Sequence, residues 1–280
     1  MLTVLDIIRK TTEFFQSKGI DTPRLDAELL LSHALGMKRM ELYLQFERPL
    51  TDAELEKLRA LVRRRGTREP LQHIIGDLEF ANVVIKTDRR ALIPRPETEE
   101  LVELIARELT APPARIADLG TGSGAIALAL ADGFPEASVL AVEISEDAAA
   151  LARENAARVP AGNRVSIIVA DWKSVLSSGP FDLIVSNPPY LSADEVASAA
   201  PEVRDHEPHG ALVAGDAGRA ALEEIIRLAP GALSDGGLLA LETGIDQHEA
   251  LLRAAEAAGY ATRKSAKDLS GRDRFLFLRR

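Results

Sequence analysis

Four consecutive residues, Asn187, Pro188, Pro189 and Tyr190, have the chemistry and the stiffness needed to hold a planar NH₂ group. They follow the apolar run 181–185, which predicts a buried strand ending where this segment begins. The Asn187 side-chain oxygen and the Pro188 carbonyl are two acceptors, one for each N–H of a primary amide or exocyclic amine. Two prolines fix φ at about −65°, so the acceptors are in place before a substrate arrives. The Tyr190 ring can pack against the plane of the acceptors. The segment predicts a site for methyl transfer to nitrogen, and a stiff turn after a strand is the alternative.

A second segment with chemical potential is the glycine-rich run that follows the apolar residues 116–119. It consists of Gly120, Thr121, Gly122, Ser123 and Gly124, and it opens a predicted helix. Glycines let the backbone pass close to a ligand, and a helix N-terminus presents free N–H groups. Glu143 ends the next predicted strand, where its carboxylate can accept from both hydroxyls of a ribose. With Ala125 in the last position the run also fits the dinucleotide fingerprint, so an NAD-dependent dehydrogenase is an alternative on this loop alone.

Asp171 and Trp172 follow the third apolar run, 165–170, and suit an adenine ring. Asp171 can accept from the adenine amino group, and Trp172 can flank the ring; partial burial of the only tryptophan is the alternative. The glycine-rich run, Glu143, this pair and Asn187 all fall at the carboxyl ends of successive strands, where open α/β sheets bind ligands. Hydride transfer has no use for a two-acceptor amide clamp, so Asn187 favours methyl transfer over the NAD alternative.

The elements that must position these residues alternate between strand and helix from Arg115 onward. The predicted strands are 116–119, 139–142, 165–170, 181–185 and 238–241, the predicted helices include 125–131 and 146–157, and a final strand pair is 261–265 and 274–278. This alternation predicts a parallel sheet with helices on both faces. Residues 80–86 predict one further strand, and 97–109 a helix.

The first 75 residues predict short helices that begin at Thr3, at Thr22-Pro23 and at a capping box of Thr51 with Glu54. The chain is therefore predicted to comprise a helical substrate-recognition domain (1–75), a strand-containing linker (76–92) and a catalytic domain (93–280). A basic cluster of Arg63, Arg64, Arg65 and Arg68 ends the helical domain. We expect these side chains to be solvated and to complement the helix dipole; docking of an acidic partner is the alternative.

The amino-acid composition excludes several further classes of function. The chain has 280 residues, 46% hydrophobic and 28% charged, and no cysteine, which excludes thiolate chemistry. Residues 1–75 hold 13 basic and 11 acidic side chains, and the rest hold 21 and 32, a net charge of −11. This acidity argues against direct nucleic-acid binding and suits a protein substrate or a cationic cofactor. No membrane span, no signal peptide and no metal site are expected, the last despite His206 and His209, and the protein is expected to be cytoplasmic.

The motifs together resemble a known family. Asn-Pro-Pro-Tyr after a G-x-G-x-G loop is typical of class I S-adenosylmethionine-dependent N-methyltransferases. Leu-Ile-Pro-Arg-Pro-Glu-Thr-Glu at 92–99, Glu-Pro-His-Gly-Ala-Leu at 207–212 and Gly-Arg-Asp-Arg at 271–274 resemble the protein-(glutamine-N5) methyltransferases of the HemK/PrmC type, which modify peptide chain release factors. The resemblance spans nearly the whole chain. It implies a Rossmann-like α/β fold with a seven-stranded, mostly parallel sheet and a small N-terminal helical domain.

The resemblance also implies roles for the site residues. The cofactor would be S-adenosyl-L-methionine, with its methionine and ribose end along Gly120–Gly124, its ribose on Glu143 and its adenine on Asp171 and Trp172. Asn187 would contact both cofactor and substrate, and residues 187–190 would hold the glutamine of a release factor's Gly-Gly-Gln loop. Glu143 and Glu97 stand where aspartate is common in the family.

Four alternatives to this function remain at this point. Enzymes that methylate a ribosomal-protein glutamine share the clamp, as do nucleic-acid amine methyltransferases. A cofactor-binding module without catalysis is the third, and an NAD-dependent dehydrogenase is the fourth.

Overall fold

The computed structural model describes residues 2–215 and 218–280, which form two compact units. The smaller unit contains residues 2–76 and Ala200–His206, and the larger unit contains the remaining described residues. These units differ from the predicted division in two places. Residues 77–92 belong to the larger unit, and the short segment 200–206 belongs to the helical one.

The smaller unit is helical, as its capping residues predict. Thr3 accepts from the Asp6 backbone N–H while the Asp6 carboxylate accepts from the Thr3 N–H, and Thr51 and Glu54 form the same reciprocal pair. Gly36 ends the second helix with φ of 66°, a conformation that favours glycine. The helices are α1 (Val4–Ser17), α2 (Pro23–Leu35), α3 (Arg39–Tyr43), α4 (Asp52–Gly66) and α5 (Leu71–Ile75).

The basic cluster at the end of α4 is not simply solvated. Arg65 is buried and donates to Asp26 at 2.7 Å and to Glu202 at 2.8 Å. Arg68 also donates to both Glu202 oxygens. The expectation of solvated side chains is therefore wrong for Arg65 and Arg68, because the acidic partner lies in the chain itself, in segment 200–206. Arg63 remains exposed in the last turn of α4.

The predicted strand 80–86 is instead a hairpin. Strands β1 (Asp77–Phe80) and β2 (Val83–Lys86) pair antiparallel, with Phe80 opposite Val83. Ala81 adopts a positive φ of 49° in the two-residue turn. The turn was not predicted because the segment around it is mostly apolar. Phe80, Val83 and Ile85 then enter the core of the larger unit.

The larger unit contains a seven-stranded sheet, which confirms the predicted α/β architecture. Its strand order is β5-β4-β3-β6-β7-β9-β8; β3 to β7 run parallel, and β9 is antiparallel to both its neighbours. The strands are β3 (Arg115–Leu119), β4 (Ser138–Glu143), β5 (Val165–Val169), β6 (Phe181–Ser186), β7 (Leu233–Glu242), β8 (Thr262–Lys267) and β9 (Asp273–Arg279).

Helices cover both faces of this sheet. Along β6, Leu183 and Val185 join one core cluster and Ile184 joins the other, as the alternation of a strand requires. The helices are α6 (Pro96–Glu108), α7 (Ala125–Gly133), α8 (Glu146–Arg158), α9 (Trp172–Val175), α10 (Ala193–Ser198), α11 (Pro201–Arg204, in the smaller unit), α12 (Ala220–Leu228) and α13 (His248–Ala257). Within the described part of the chain, no helix combines the length and the apolar character that crossing a membrane requires.

Candidate active site

A cavity of about 410 Å³ opens at the carboxyl ends of the central strands in the larger unit. Nine of the predicted site residues line it, namely Gly120, Thr121, Gly122, Ser123, Glu143, Asp171, Trp172, Asn187 and Pro189. The remaining three, Gly124, Pro188 and Tyr190, do not. Residues from four separate loops thus converge on one cavity, because the parallel strands that precede them all end at the same edge.

The glycine-rich loop after β3 bends sharply into α7. Gly120 and Gly122 have φ of 73° and 55°, backbone conformations that residues other than glycine rarely adopt. Gly124 is the N-cap of α7, where an added Cβ would lie 3.3 Å from the Cβ of Ala152. The structure therefore places Gly124 at the contact between α7 and α8 rather than on the cavity.

Asp118, just before this loop, is fully buried. Its Oδ2 accepts a hydrogen bond of 2.6 Å from the Thr121 hydroxyl. Burial raises the pKa of Asp118 to about 7, since a charged carboxylate loses its hydration there. The hydrogen bond from Thr121 opposes that rise only in part.

Glu143 reaches from the end of β4 toward the loop. Its Oε2 accepts from the Gly122 N–H and its Oε1 from the Ser145 N–H, both at 2.9 Å. The neighbouring Ile144 also lines the cavity and is 72% exposed, which is unusual for so large an apolar side chain. Ile144 is not among the predicted site residues, although it directly follows Glu143 in the sequence.

Asp171 and Trp172 lie at the start of α9. Asp171 Oδ1 accepts from the Lys173 N–H at 2.9 Å and so caps the helix, and its second oxygen is not used in that bond. The Trp172 indole N–H donates to Glu224 at 3.3 Å, and the ring packs against one core cluster while also lining the cavity. Partial burial and a place in the cavity are therefore compatible for this side chain.

Asn187 and Tyr190 are hydrogen-bonded to Thr98 and Glu242, two residues that have no predicted role. Asn187 Nδ2 donates to the Thr98 hydroxyl at 3.2 Å, and Thr98 donates to Glu242 Oε2 at 2.7 Å. The Tyr190 hydroxyl donates to Glu242 Oε1 at 3.0 Å, and the Arg274 guanidinium lies 5.5 Å from the centre of the Tyr190 ring. Glu242 ends β7, so the rule that ligands gather at the carboxyl ends of strands was a usable signal for it.

Two ion pairs join the motifs at 92–99, 207–212 and 271–274. Arg95 donates to both oxygens of Glu207 at 2.8 Å, and Arg272 lies 3.2 Å from Glu97. Glu207 is buried, which raises its pKa, and the Arg95 charge opposes that rise. Next to Glu207, Pro208, Gly210 and Ala211 form part of the cavity wall.

The chain is similar to known proteins along nearly its whole length. Residues 6–76 match the family described as PrmC N-terminal domain, and residues 97–203 match the methyltransferase small domain. A release factor glutamine methyltransferase of Rhodopirellula baltica is 37% identical over 289 residues, covering 99% of this chain and 96% of that protein. The protein of the same name from Geobacter sulfurreducens is 41% identical, covering 97% and 95%.

A solved structure supports the fold. The Thermus thermophilus 16S rRNA N2 G1207 methyltransferase, in complex with AdoMet and guanosine, superposes with a TM-score of 0.50 at 18% identity, covering 73% of this chain and 49% of that one. With the parallel sheet described above, this likeness identifies the class I methyltransferase fold. Identity of about 40% over nearly the full length goes further: the chain belongs to the release factor glutamine methyltransferase family.

Proposed function

We propose that this protein transfers a methyl group from S-adenosylmethionine to the side-chain amide nitrogen of the glutamine in the Gly-Gly-Gln motif of peptide chain release factors, in the cytoplasm. The observation that carries the proposal is the orientation of Asn187. Its Nδ2 is bound to Thr98, so its Oδ1 is the end left to accept a hydrogen bond at the cavity.

The cavity fits a nucleoside-containing cofactor. Ile144 and Trp172 supply apolar surfaces on which an adenine ring can pack, and Asp171 has an oxygen that can accept from its amino group. Glu143 supplies acceptors for two ribose hydroxyls. S-adenosylmethionine, when bound, supplies an electrophilic methyl group on a positively charged sulfur.

The residues after β6 prepare the substrate nitrogen. A glutamine amide is a poor nucleophile because its lone pair is delocalised into the carbonyl. In this proposal Asn187 Oδ1 accepts a hydrogen bond from one N–H group, and the carbonyl of Pro188, which lies between the cavity-lining residues Asn187 and Pro189, accepts from the other. The two bonds fix the plane of the amide in one orientation. Holding reacting atoms about 3–3.5 Å apart and in line can lower a barrier by several kcal/mol. The methylated amide then loses its extra proton to water, so the chain needs no general base.

The experiment is a methylation assay with defined substrates. The protein is incubated with methyl-labelled S-adenosylmethionine and a purified release factor, and the modified residue is located by peptide mass mapping. We expect one methyl group on the Gly-Gly-Gln glutamine, and none on a release factor whose glutamine is replaced by glutamate. Total ribosomal protein and RNA are assayed in parallel. Label found only in a ribosomal protein or in RNA would support the corresponding alternative and reject the proposal.

A further inference from the structure

Behind Asn187 lies a short chain of hydrogen bonds that ends on a buried carboxylate. Glu242 is 1% exposed, Thr98 is 3% exposed, and each Glu242 oxygen accepts one hydroxyl, from Thr98 at 2.7 Å and from Tyr190 at 3.0 Å. Thr98 in turn accepts from Asn187 at 3.2 Å. We propose that Thr98 and Glu242 are positioning residues that determine which end of the Asn187 amide faces the substrate. The inference rests on the proposed transfer to an amide nitrogen.

The direction of each hydrogen bond follows from the number of protons available. Burial raises the pKa of Glu242, and the hydroxyls of Thr98 and Tyr190 and the charge of Arg274 oppose that rise. Each Glu242 oxygen is the acceptor for one hydroxyl, so Glu242 is bound as a carboxylate and receives the hydrogen of the Thr98 hydroxyl. Thr98 has only that one hydrogen, which leaves its lone pairs for Asn187. Asn187 must therefore turn its NH₂ group toward Thr98 and its oxygen toward the cavity.

This control is needed because the two ends of an asparagine amide have nearly the same shape. Packing alone does not distinguish Oδ1 from Nδ2, and only the hydrogen-bonding partners do. A reversed Asn187 would direct an N–H group at the N–H group of the substrate amide. The acceptor would be replaced by a repulsive donor, although the outline of the side chain would be nearly unchanged.

Tyr190 is tied to the same carboxylate from the other side. Its hydroxyl binds Glu242 Oε1, and its backbone carbonyl accepts from Gln247 Nε2 at 3.0 Å. One residue at the end of β7 thus sets both the Asn187 amide and the Tyr190 ring. Asn187 and Tyr190 bracket the two prolines, so Glu242 aligns both ends of the clamp.

The first test compares three substitutions at Thr98. Thr98→Val keeps the shape and removes the hydroxyl, Thr98→Ser keeps the hydroxyl, and Thr98→Ala serves if the valine variant does not fold. We expect the valine or alanine variant to lose at least about tenfold in kcat, while cofactor Kd and the melting temperature change little. The serine variant should recover most of the activity. Thr262→Val removes an exposed hydroxyl from β8 and is the matched control.

The second test is Glu242→Gln, which keeps the size of the side chain but adds an NH₂ group. That group must face either Thr98 or Tyr190, so we expect kcat to fall again with cofactor Kd retained. The inference is overturned if Thr98→Val keeps wild-type kcat and KM while Asn187→Ala is inactive. It is also overturned if kcat, cofactor affinity and melting temperature fall in parallel, since that pattern indicates a structural role. Failure of the proposed function itself is a separate outcome, because the wild-type protein would then methylate no release factor.

Discussion

Glu143 Oε2 accepts a hydrogen bond of 2.9 Å from the Gly122 backbone N–H, so the end of β4 is joined to the glycine-rich loop after β3. Its other oxygen accepts from the Ser145 N–H at the start of α8. One carboxylate therefore shapes two of the loops that line the cavity. Its place there also makes it the residue that we propose to bind the ribose.

Replacement of Glu143 by alanine should weaken cofactor binding. A hydrogen bond to a charged group contributes about 1.5–3 kcal/mol, so the loss of contacts to two ribose hydroxyls should raise Kd at least about 100-fold. The fluorescence of Trp172, the only tryptophan in the chain, offers a direct titration signal. Glu146→Ala, an exposed carboxylate three residues further along, is the control. An unchanged Kd for Glu143→Ala would contradict the assignment.

Replacement of Asn187 by alanine should abolish turnover and leave cofactor binding reduced but measurable. The variant lacks the side-chain acceptor that fixes the substrate amide, and small errors in placing reacting groups cost on the order of 100-fold. Single-turnover assays with a release factor measure the effect. Asn163→Ala removes an exposed amide that does not line the cavity, and it should keep wild-type turnover. Near-normal activity of Asn187→Ala would remove the clamp from the mechanism.

Arg65 should stabilise the helical unit. Its side chain is 7% exposed and that of Asp26 is 4% exposed, so Arg65→Met leaves a buried carboxylate without its cationic partner. Loss of one member of a buried pair costs about 3–5 kcal/mol, whereas an exposed pair contributes less than about 1 kcal/mol. We expect faster hydrogen exchange in α2 and α4 for Arg65→Met. Arg59→Met, which breaks an exposed pair with Glu56 on the same helix, should show little change.

Asp118 should make stability depend on pH. Its pKa of about 7 in the folded chain lies above the ordinary value of 3.8, so between these values the folded state holds a proton that the unfolded chain has released. Its contribution to the free energy of unfolding therefore falls as pH rises from about 4 to about 7. In the cofactor-free protein, the difference between wild type and Asp118→Asn should follow this slope. Asp132→Asn, which changes an exposed carboxylate, should alter the free energy of unfolding by the same amount at every pH in this range. If the stability difference between wild type and Asp118→Asn does not depend on pH, Asp118 does not have a raised pKa.

Sequence patterns identified most of the fold because they are local. The capping pairs at Thr3 and Thr51 mark helix starts, and the apolar runs mark the buried strands of a parallel sheet. The hairpin at 77–86 was not recognised because its turn contains Ala81 rather than glycine, and residues 80–85 are apolar apart from Asn82 and so resemble one continuous strand. The final strand pair is as predicted, and Gly271 lies in the turn between its strands with a positive φ.

By itself, the sequence determined the reaction class and nine of the residues that line the cavity, because these residues end or directly follow strands of the parallel sheet. The tertiary structure alone decided which residues hold those motifs in place. Thr98 and Glu242 are separated by 144 positions, and Arg65 and Glu202 by 137, so no local pattern pairs them. Only folding brings the buried Glu242 and the buried Arg65 to the groups that satisfy their hydrogen bonds and charge, and burial without such partners would cost more than the contact stabilises.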